Sequence, residues 1–328
     1  MADIGQDIER AAEILRNGGV VAIPTETVYG LAANGLNTEA VAKIYEIKQR
    51  PSFNPLILHL SCTEQMQKYA KDIPDKAEVL AEKFWPGPLT LVLPKQQIVP
   101  DLTTAGHSSV ALRVPSHPIT LQLLQLLDFP LAAPSANPSG YISPTTANHV
   151  QENLGNQLAY ILDGGPCEVG LESTIISFAD KQAKILRYGV VTKEQIMGMV
   201  GIVESPLIAS FSDIVAPGML NSHYAPKTPL VFGEITPESG VRNSPNNVLL
   251  NYQKYKIFAP KATQFILTES GSIDEAAKNL FEMLRKIDSM KVDKIFVEPA
   301  PSFGIGLAIN DRLMRASINV NNENKFGS

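Results

Sequence analysis

Two basic residues in the first half of the chain lie close together on a loop, where an anionic partner would balance their charge. Lys48 and Arg50 follow a predicted helix just before Pro51, and Ser52 adds a hydroxyl on the loop that comes next. The helix dipole stabilises a cation at the C-terminal end of a helix in a protein of any function, but this effect explains only one of the two basic residues. The dense run of hydrogen-bond donors on this loop therefore predicts a phosphate site at Lys48, Arg50 and Ser52.

Two arginines lie inside strand-like apolar runs. Arg113 stands in VALRVP and Arg187 in KILRYG, where an unpaired guanidinium is costly to bury. Each needs an anionic partner, which is either a bound ligand or a structural carboxylate such as Glu172, unless the side chain reaches solvent. Residues 114–180 contain no lysine or arginine. An anion bound in that region must therefore be met by hydroxyls, backbone N–H groups or cations from elsewhere.

Two loops collect small hydroxyl side chains. The first, APSANPSGYISPTTA, holds Ser135, Asn137 and Ser143 after a short predicted strand, LAA. Part of this composition serves turns and helix capping at Ser143. Small donors on a loop stiffened by proline also suit an adenylate or a phosphate, because they donate without filling the cleft. The second loop, GGPCEVGLEST, presents glycines and Ser173 in the same way.

Several familiar reaction centres are absent from the sequence. It contains no GxxxxGK[ST] loop, and Gly304-Ile305-Gly306 lacks the third glycine of a dinucleotide site, so we interpret it as a tight turn. No GxSxG elbow is present, and the five histidines show no HExxH spacing. Only His59, which ends an apolar run, and His223, within a proline-rich segment, are candidate site residues.

The elements that position these residues are predicted from periodicity. In the first 200 residues, strands are predicted in GVVAIP, NPLILHL, LTLVLP, SSVALRVP, AYILDG, STIISF and AKILRYG. Helices are predicted to end at Asn17 and to span 38–47, 75–84, 117–127 and 145–153. Further strands are predicted in PLVFG, NNVLLNY, TQFILTE and KIFVEP, and further helices over 273–290 and 307–317.

The order of these elements predicts two α/β domains joined by a linker. We expect a mixed α/β domain over residues 1–200 and a small α/β domain over 230–328. Between them, residues 201–229 lose periodicity and hold four prolines at 206, 217, 226 and 229, which is typical of a linker or a lid. Two domains also fit a chain of 328 residues.

Composition limits the function classes. The net charge is −5 and the pI is about 5.6, which argues against a protein that binds nucleic acid or acidic lipid over its whole surface but leaves room for a local basic groove. Acidic residues stand near the start in place of a secretory signal, and no apolar run is long enough for a membrane helix. Two cysteines form no disulfide framework. We therefore expect a cytoplasmic protein with no membrane partner.

Seven motifs, in order, resemble one family. They are PTETVYGL, KQRP with NPL and His59, WPGPLT, ALRVPSHP, APSANPSG with SPTTA, DGGPCEVGLEST and PGMLNSHYAPKTP. Each motif is weak alone, but together they span nearly the full chain and resemble the long, two-domain form of the YrdC-like threonylcarbamoyl-adenylate synthases. The resemblance implies an N-terminal YrdC-like twisted mixed sheet with helices, then a linker and a small Rossmann-like domain.

The resemblance also implies an activity. Enzymes of this family join L-threonine, bicarbonate and ATP into L-threonylcarbamoyl-AMP and pyrophosphate, which supplies threonylcarbamoyladenosine next to the tRNA anticodon. The implied partners are a tRNA threonylcarbamoyl transferase complex and, through it or directly, tRNA. Two basic residues leave excess negative charge on a triphosphate, so Mg²⁺ is implied as a bridging ion.

The resemblance assigns residues to two subsites. The ATP site comprises Lys48, Arg50, Ser52, Ser109, Ser135, Asn137, Ser143, Arg187, His223 and Tyr224. The threonine site comprises Thr25, Tyr29, His59, Arg113, Ala133 and Ser173. Lys48 and Arg50 act on the triphosphate, and Arg113 pairs bidentately with the α-carboxylate. His223 and Tyr224 belong to a mobile cover that shields the intermediate from water.

The sequence departs from the family pattern at two places. Tyr188 stands where the family commonly has proline, so its backbone is less restricted. Asn221 and Ser222 stand where an aromatic and a basic residue are usual.

Two alternative functions stay open at this level. One is an RNA-binding module of the YrdC type, whose affinity would fall steeply with salt. The other is a related enzyme that forms carbamoyl-adenylate from carbamoyl phosphate, although such enzymes usually carry additional domains.

Overall fold

The computed structural model describes residues 1–179, 182–205, 217 and 223–317. The chain divides into two compact units, Met1–Ser139 with Ser143–Met219, and Gly140–Ile142 with Leu220–Ser328. The predicted domain limits at residues 200 and 229 stay a prediction. Most of the linker, including Asn221 and Ser222, lies outside the described residues.

The described part of the first unit holds a ten-stranded sheet. Its strands, in chain order, are β1 (Asp3–Gly5), β2 (Val21–Ile23), β3 (Gly30–Asn34), β4 (Ile57–His59), β5 (Leu89–Pro94), β6 (Ser109–Arg113), β7 (Leu131–Ala132), β8 (Tyr160–Leu162), β9 (Thr174–Ser177) and β10 (Lys184–Arg187). They lie in the order β1-β8-β2-β3-β7-β4-β6-β5-β9-β10. The sheet contains both parallel pairs, such as β4 with β6, and antiparallel pairs, such as β5 with β6, so it is mixed, as expected.

Helices cover both faces of this sheet. They are α1 (Ile8–Arg16), α2 (Thr38–Lys48), α3 (Met66–Tyr69), α4 (Asp75–Phe84), α5 (Pro118–Gln125), α6 (Ala147–Leu154) and α7 (Lys193–Val200). Side chains of successive residues in a strand point to opposite faces of the sheet, so neighbouring residues pack in different core clusters. Val21 and Ile23 belong to the core cluster that includes residues of α1 and α5, whereas Ala22 between them belongs to the cluster that includes residues of α2, α4 and α6. Strand β2 is therefore buried on both sides, as expected for a strand inside a sheet layered between helices.

The second unit is a small α/β unit with a parallel sheet. Its elements, in chain order, are β11 (Leu230–Phe232), β12 (Val248–Asn251), β13 (Gln264–Ile266), α8 (Ile273–Ser289), β14 (Ile295–Val297) and α9 (Gly306–Ser317). The strand order is β11-β14-β12-β13, and every pair is parallel. These elements agree with the predicted Rossmann-like arrangement. Within the described residues, no helix has both the length and the apolar character needed to cross a membrane.

Candidate active site

The end of helix α2 places Lys48 in the interior. Asn37 caps the start of the helix by accepting from the backbone N–H groups of Glu39 and Ala40, and Gln49 ends it in the left-handed conformation with φ of 51°. Lys48 is the last helical residue and is buried, with 1% of its surface exposed. The turn at Gln49 then directs the chain into the loop that carries Arg50.

Lys48 is held by the hydroxyl-rich loop rather than by a carboxylate. Its Nζ donates to the carbonyl oxygen of Ser135, and to that of Asn137 at 2.5 Å. The backbone N–H of Ser139 donates back to the carbonyl oxygen of Lys48 at 2.8 Å. Burial, followed by the charge of Arg50, lowers the pKa of Lys48 well below its ordinary value. An anion placed beside this amine would favour its charged form.

Arg50 fixes the loop that leads into β4. Its Nε donates to the carbonyl oxygen of Asn54 at 3.0 Å, and its Nη2 donates to Oδ1 of Asn54 at 2.6 Å and to the carbonyl oxygen of Pro55 at 2.8 Å. Ser52 lies on the same loop and is exposed. The predicted phosphate loop is therefore a single turn organised by its own arginine.

The loop after β7 is anchored to the start of β3. The backbone N–H of Ala136 donates to the carbonyl oxygen of Tyr29 at 2.8 Å, and that of Tyr29 donates to the carbonyl oxygen of Pro144 at 2.9 Å. Ser143 is fully buried, and its hydroxyl donates to Oε1 of Glu172 at 2.5 Å. These bonds hold Ser135, Asn137 and Ser143 on one ordered segment.

Arg113 is paired inside the unit, at the end of β6. Its Nη2 donates to Oε1 of Glu26 at 2.5 Å and to Oγ1 of Thr27 at 3.0 Å, and its Nε donates to the carbonyl oxygen of Gly87 at 3.2 Å. Glu26 thus supplies the carboxylate that the sequence required for Arg113, whereas Glu172 accepts from Ser143. In the described residues Nη1 of Arg113 has no partner, so it is the nitrogen left for a ligand.

His59 lies directly beside Arg113 in the sheet, because β4 and β6 pair in parallel with these residues in register. Burial, followed by the charge of Arg113, lowers the pKa of His59 to about 3. The imidazole is therefore neutral near neutral pH. Its Nδ1 has no hydrogen-bond partner among the described residues.

The other predicted threonine residues occupy the loops around this pair. Oγ1 of Thr25 donates to the carbonyl oxygen of Val28 at 2.6 Å and lies 2.8 Å from Oγ1 of Thr27, which accepts from Arg113. The hydroxyl of Tyr29 is hydrogen-bonded to the turn at 163–165. Ala133 lies against the start of β3. A Cβ built on Gly30 would be 3.2 Å from the Cβ of Ala133.

Ser173 and Arg187 meet beside strand β9. Nη2 of Arg187 donates to Oγ of Ser173 at 3.1 Å and to its carbonyl oxygen at 2.9 Å. Oγ of Ser173 also lies 2.7 Å from Oγ1 of Thr90. A Cβ at Gly189 would come within 2.4 Å of the backbone nitrogen of Thr174, so this turn requires glycine although Tyr188 replaces the usual proline.

The structure thus joins some predicted residues directly and leaves others apart. Hydrogen bonds or strand pairing link Lys48 to Ser135 and Asn137, Arg113 to His59, and Arg187 to Ser173. Ser109 lies at the opposite end of β6 from Arg113. Glu26 and Thr27, which contact Arg113, were missed, and the signal for both was their place in PTETVYGL next to Thr25.

His223 and Tyr224 belong to the second unit, where both are buried. Their ring centroids are 4.0 Å apart, and Tyr224 stacks on Phe281 with centroids 5.7 Å apart. The guanidinium of Arg312 lies 5.0 Å from the centre of the Tyr224 ring. Their assignment to the ATP site stays a prediction.

No cluster of three or more histidine, cysteine, aspartate or glutamate side chains that could hold a metal ion occurs within the described residues. The oxygen atoms bonded to the Lys48 amine are backbone carbonyl oxygens, and the partners of Arg113 include one glutamate, Glu26.

Comparisons with known proteins agree with this fold. A Sua5/YciO/YrdC family model described as telomere recombination matches residues 13–189, and a model described as the C-terminal domain of threonylcarbamoyl-AMP synthase matches residues 191–317. The threonylcarbamoyl-AMP synthase of Pyrococcus abyssi is 41% identical over 319 residues, covering 94% of both proteins. That of Bacillus subtilis is 43% identical over 323 residues, covering 94% of this chain and 92% of the relative.

Solved structures match over almost the whole chain. The crystal structure of P. abyssi Sua5 complexed with L-threonine has a TM-score of 0.87 and 39% identity and covers 97% of each chain. A variant of that protein, in which a histidine and the tyrosine after it are both replaced by alanine, has a TM-score of 0.86 and 38% identity and covers 97% of this chain and 96% of that one. The chain belongs to the threonylcarbamoyl-AMP synthase family. The resemblance and the fold class predicted from the motifs are both confirmed.

Proposed function

We propose that this protein joins L-threonine, bicarbonate and ATP into L-threonylcarbamoyl-AMP with release of pyrophosphate. The observation that carries the proposal is the similarity, over nearly the full chain, to a Sua5 structure complexed with L-threonine. Relatives of matching length that bear the name threonylcarbamoyl-AMP synthase support the same reaction. The protein is on this basis an adenylyl-transferring enzyme.

The chemistry suits a site built from cations and neutral donors. In the proposed adenylyl transfer, a carboxylate oxygen of the threonine carbamate forms a bond to the α-phosphorus of ATP, and the bond from that phosphorus to the pyrophosphate oxygen breaks. The attacking group is already an anion, so this step needs alignment and charge stabilisation more than a base. Lys48, Arg50 and Arg187 are the basic residues that we assign to the triphosphate.

We assign L-threonine to the region around Arg113. The α-carboxylate would meet the Nη1 N–H groups of Arg113, the nitrogen without a partner in the described residues. His59 beside it is neutral, since its pKa is about 3, and so adds no second charge. Thr25, Tyr29, Ala133 and Ser173 are the remaining residues of this proposed subsite.

We propose that Mg²⁺ enters with ATP. The residues around Lys48 and Arg50 fit an anionic triphosphate, but they provide no carboxylate cluster for a metal within the described residues. Mg²⁺ bound to the triphosphate oxygens would neutralise negative charge that Lys48 and Arg50 alone leave uncompensated.

The product would serve a downstream transfer to tRNA. A mixed anhydride is an activated acyl donor that hydrolyses readily, so a transferase must consume it soon after release. A tRNA threonylcarbamoyl transferase complex is the partner that we propose, with tRNA as the final acceptor.

We propose that His223 and Tyr224 contribute to turnover. The His-Tyr dipeptide occurs once in this chain, at these positions. The P. abyssi variant with a histidine–tyrosine pair replaced by alanine makes the same dipeptide a target for mutagenesis. Replacing both residues by alanine and measuring pyrophosphate release tests the assignment, and unchanged kinetics would remove it.

The reaction itself is tested by pyrophosphate release from purified protein. The protein is incubated with ATP, Mg²⁺ and bicarbonate, and each amino acid is added separately. We expect release that depends on L-threonine, and product of the mass of threonylcarbamoyl-AMP. Release that is indifferent to threonine would refute the substrate. The Arg113→Ala variant should lose activity, whereas Arg10→Ala, which removes an exposed arginine of the same unit, should retain it.

A further inference from the structure

A buried carboxylate shares the guanidinium that we assign to the substrate. The side chains of Glu26 and Arg113 are only 6% and 5% exposed, and they are in contact at 2.5 Å. The other carboxylate oxygen of Glu26 accepts from the backbone N–H of Ser116 at 3.1 Å. Glu26 is thus tied to both the guanidinium and the chain just beyond β6.

The hydrogen bonds of Arg113 leave one nitrogen for a ligand. Nε donates to Gly87, and the two N–H groups of Nη2 donate to Glu26 and Thr27. The two N–H groups of Nη1 remain, so a ligand carboxylate would approach a guanidinium whose charge already has one carboxylate partner. Two carboxylates would then share one positive charge at close range.

Two titratable neighbours of the pair are uncharged near neutral pH. Burial keeps His59 neutral, with a pKa of about 3. Burial also raises the pKa of the Cys167 thiol, which interacts with both members of the pair, to about 12. The pair is therefore close to electrically neutral before a ligand binds.

We infer that Glu26 is a specificity-determining residue, which makes the amino-acid subsite select a zwitterion over a simple anion. A ligand that carries only a carboxylate is repelled by Glu26, and this repulsion offsets part of its attraction to the guanidinium of Arg113. A ligand that also carries an ammonium group brings its own compensating charge. The inference rests on the proposed assignment of threonine to Arg113, and it deepens that assignment.

Selection of a zwitterion would keep the other anions of this reaction out of the amino-acid subsite. Bicarbonate, pyrophosphate and the phosphates of ATP are all anions present during turnover. A buried arginine without a carboxylate partner would attract each of them into the amino-acid subsite. Glu26 reduces that attraction while leaving Nη1 able to donate to an α-carboxylate.

The test compares two ligands that differ in one group. L-threonine carries an amine, and 2,3-dihydroxybutanoate carries a hydroxyl in its place. Binding of both is measured by calorimetry for the wild type, Glu26→Gln and Glu26→Asp, with Glu168→Gln as a control at an exposed glutamate of the same unit. Circular dichroism and thermal unfolding establish that each variant is folded.

We expect a change in preference, not a general loss of binding. In Glu26→Gln the affinity for 2,3-dihydroxybutanoate should rise relative to that for threonine by at least ~10-fold, because like charges a few ångströms apart in a buried site repel strongly. Glu26→Asp retains the charge and should retain the preference of the wild type, as should Glu168→Gln. If Glu26 had only a structural role, Glu26→Gln would weaken the binding of both ligands to a similar extent.

Two outcomes would overturn the inference. One is an unchanged ratio of the two affinities in folded Glu26→Gln, or parallel weakening of both ligands. The other needs no variant: equal affinity of the wild type for threonine and the dihydroxy acid. Threonine-dependent pyrophosphate release by the wild type, measured in parallel, separates these results from failure of the proposed function.

Discussion

Arg187 and Ser173 are joined by a hydrogen bond, although the family resemblance assigns them to different substrates. Nη2 of Arg187 donates to Oγ of Ser173 at 3.1 Å. A ligand that displaces or strengthens this bond in one subsite changes the donors offered in the other. If each residue serves the substrate that the resemblance assigns to it, this bond predicts coupling between the two subsites.

The coupling predicts that Ser173→Ala affects both substrates. Loss of the hydroxyl removes one partner of a buried guanidinium, which costs on the order of 1–3 kcal/mol. We expect KM to rise several-fold for ATP as well as for threonine in pyrophosphate-release assays. Thr90→Val removes the neighbouring hydroxyl but keeps the bond between Arg187 and Ser173, so it serves as the control. A change confined to threonine would contradict the coupling.

Lys48 is predicted to matter far more than a lysine one turn away. Its buried Nζ is held by the carbonyl oxygens of Ser135 and Asn137, whereas Lys43 on the same helix is exposed. Lys48→Ala removes the cation assigned to the triphosphate and should lower turnover at least ~100-fold, equivalent to about 2.7 kcal/mol. Lys43→Ala should remain near the wild type. Equal effects of the two substitutions would remove the special role of Lys48.

Sequence patterns predicted most elements because local signals agree with the fold. The predicted helix at 75–84 has the observed bounds of α4, and each β-branched run predicted in the first unit contains a strand. The strand β3 was missed, since its sequence GLAAN has no β-branched residue, and its glycine, asparagine and two alanines are all depleted in strands. Its place between β2 and β7 is set by tertiary pairing, which a local pattern does not contain.

In the candidate site, too, local sequence signals identified single residues but not their partners from distant parts of the chain. A buried-looking Arg113 implied an anionic partner, but the carboxylate that meets it lies 87 residues earlier in the chain. Glu172, which the sequence offered as a partner, accepts instead from Ser143. Sequence analysis can therefore identify a charge that needs compensation, but the pairing depends on which loops the sheet brings together.

The two cysteines are predicted to differ in reactivity. Burial raises the pKa of the Cys167 thiol to about 12, so almost none of it is thiolate at pH 8, whereas Cys62 is partly exposed. Native protein treated with a disulfide reagent at pH 8 should show one fast thiol, and denatured protein two. Cys62→Ser should abolish the fast phase. Two fast thiols in the native protein would contradict the burial of Cys167.

His59 is predicted to make the protein less stable in mild acid. Its pKa is about 3 in the folded chain, whereas the ordinary value for a histidine in an unfolded chain is 6.5, so between these values the unfolded state binds the additional proton. The free energy of unfolding therefore falls as the pH drops below about 6.5 and is unaffected by this group at higher pH. At pH 5.5 the expected loss is roughly 1 kcal/mol.

Urea unfolding at pH 7.5 and pH 5.5 measures this loss. His59→Gln removes the titrating group, so its free energy of unfolding should change less between the two pH values than that of the wild type, by roughly 1 kcal/mol. His107→Gln, on a loop before β6, leaves His59 in place and should keep the full pH dependence of the wild type. The same pH dependence in His59→Gln as in the wild type would mean that His59 is able to take up a proton within the folded protein, which its burial beside Arg113 opposes.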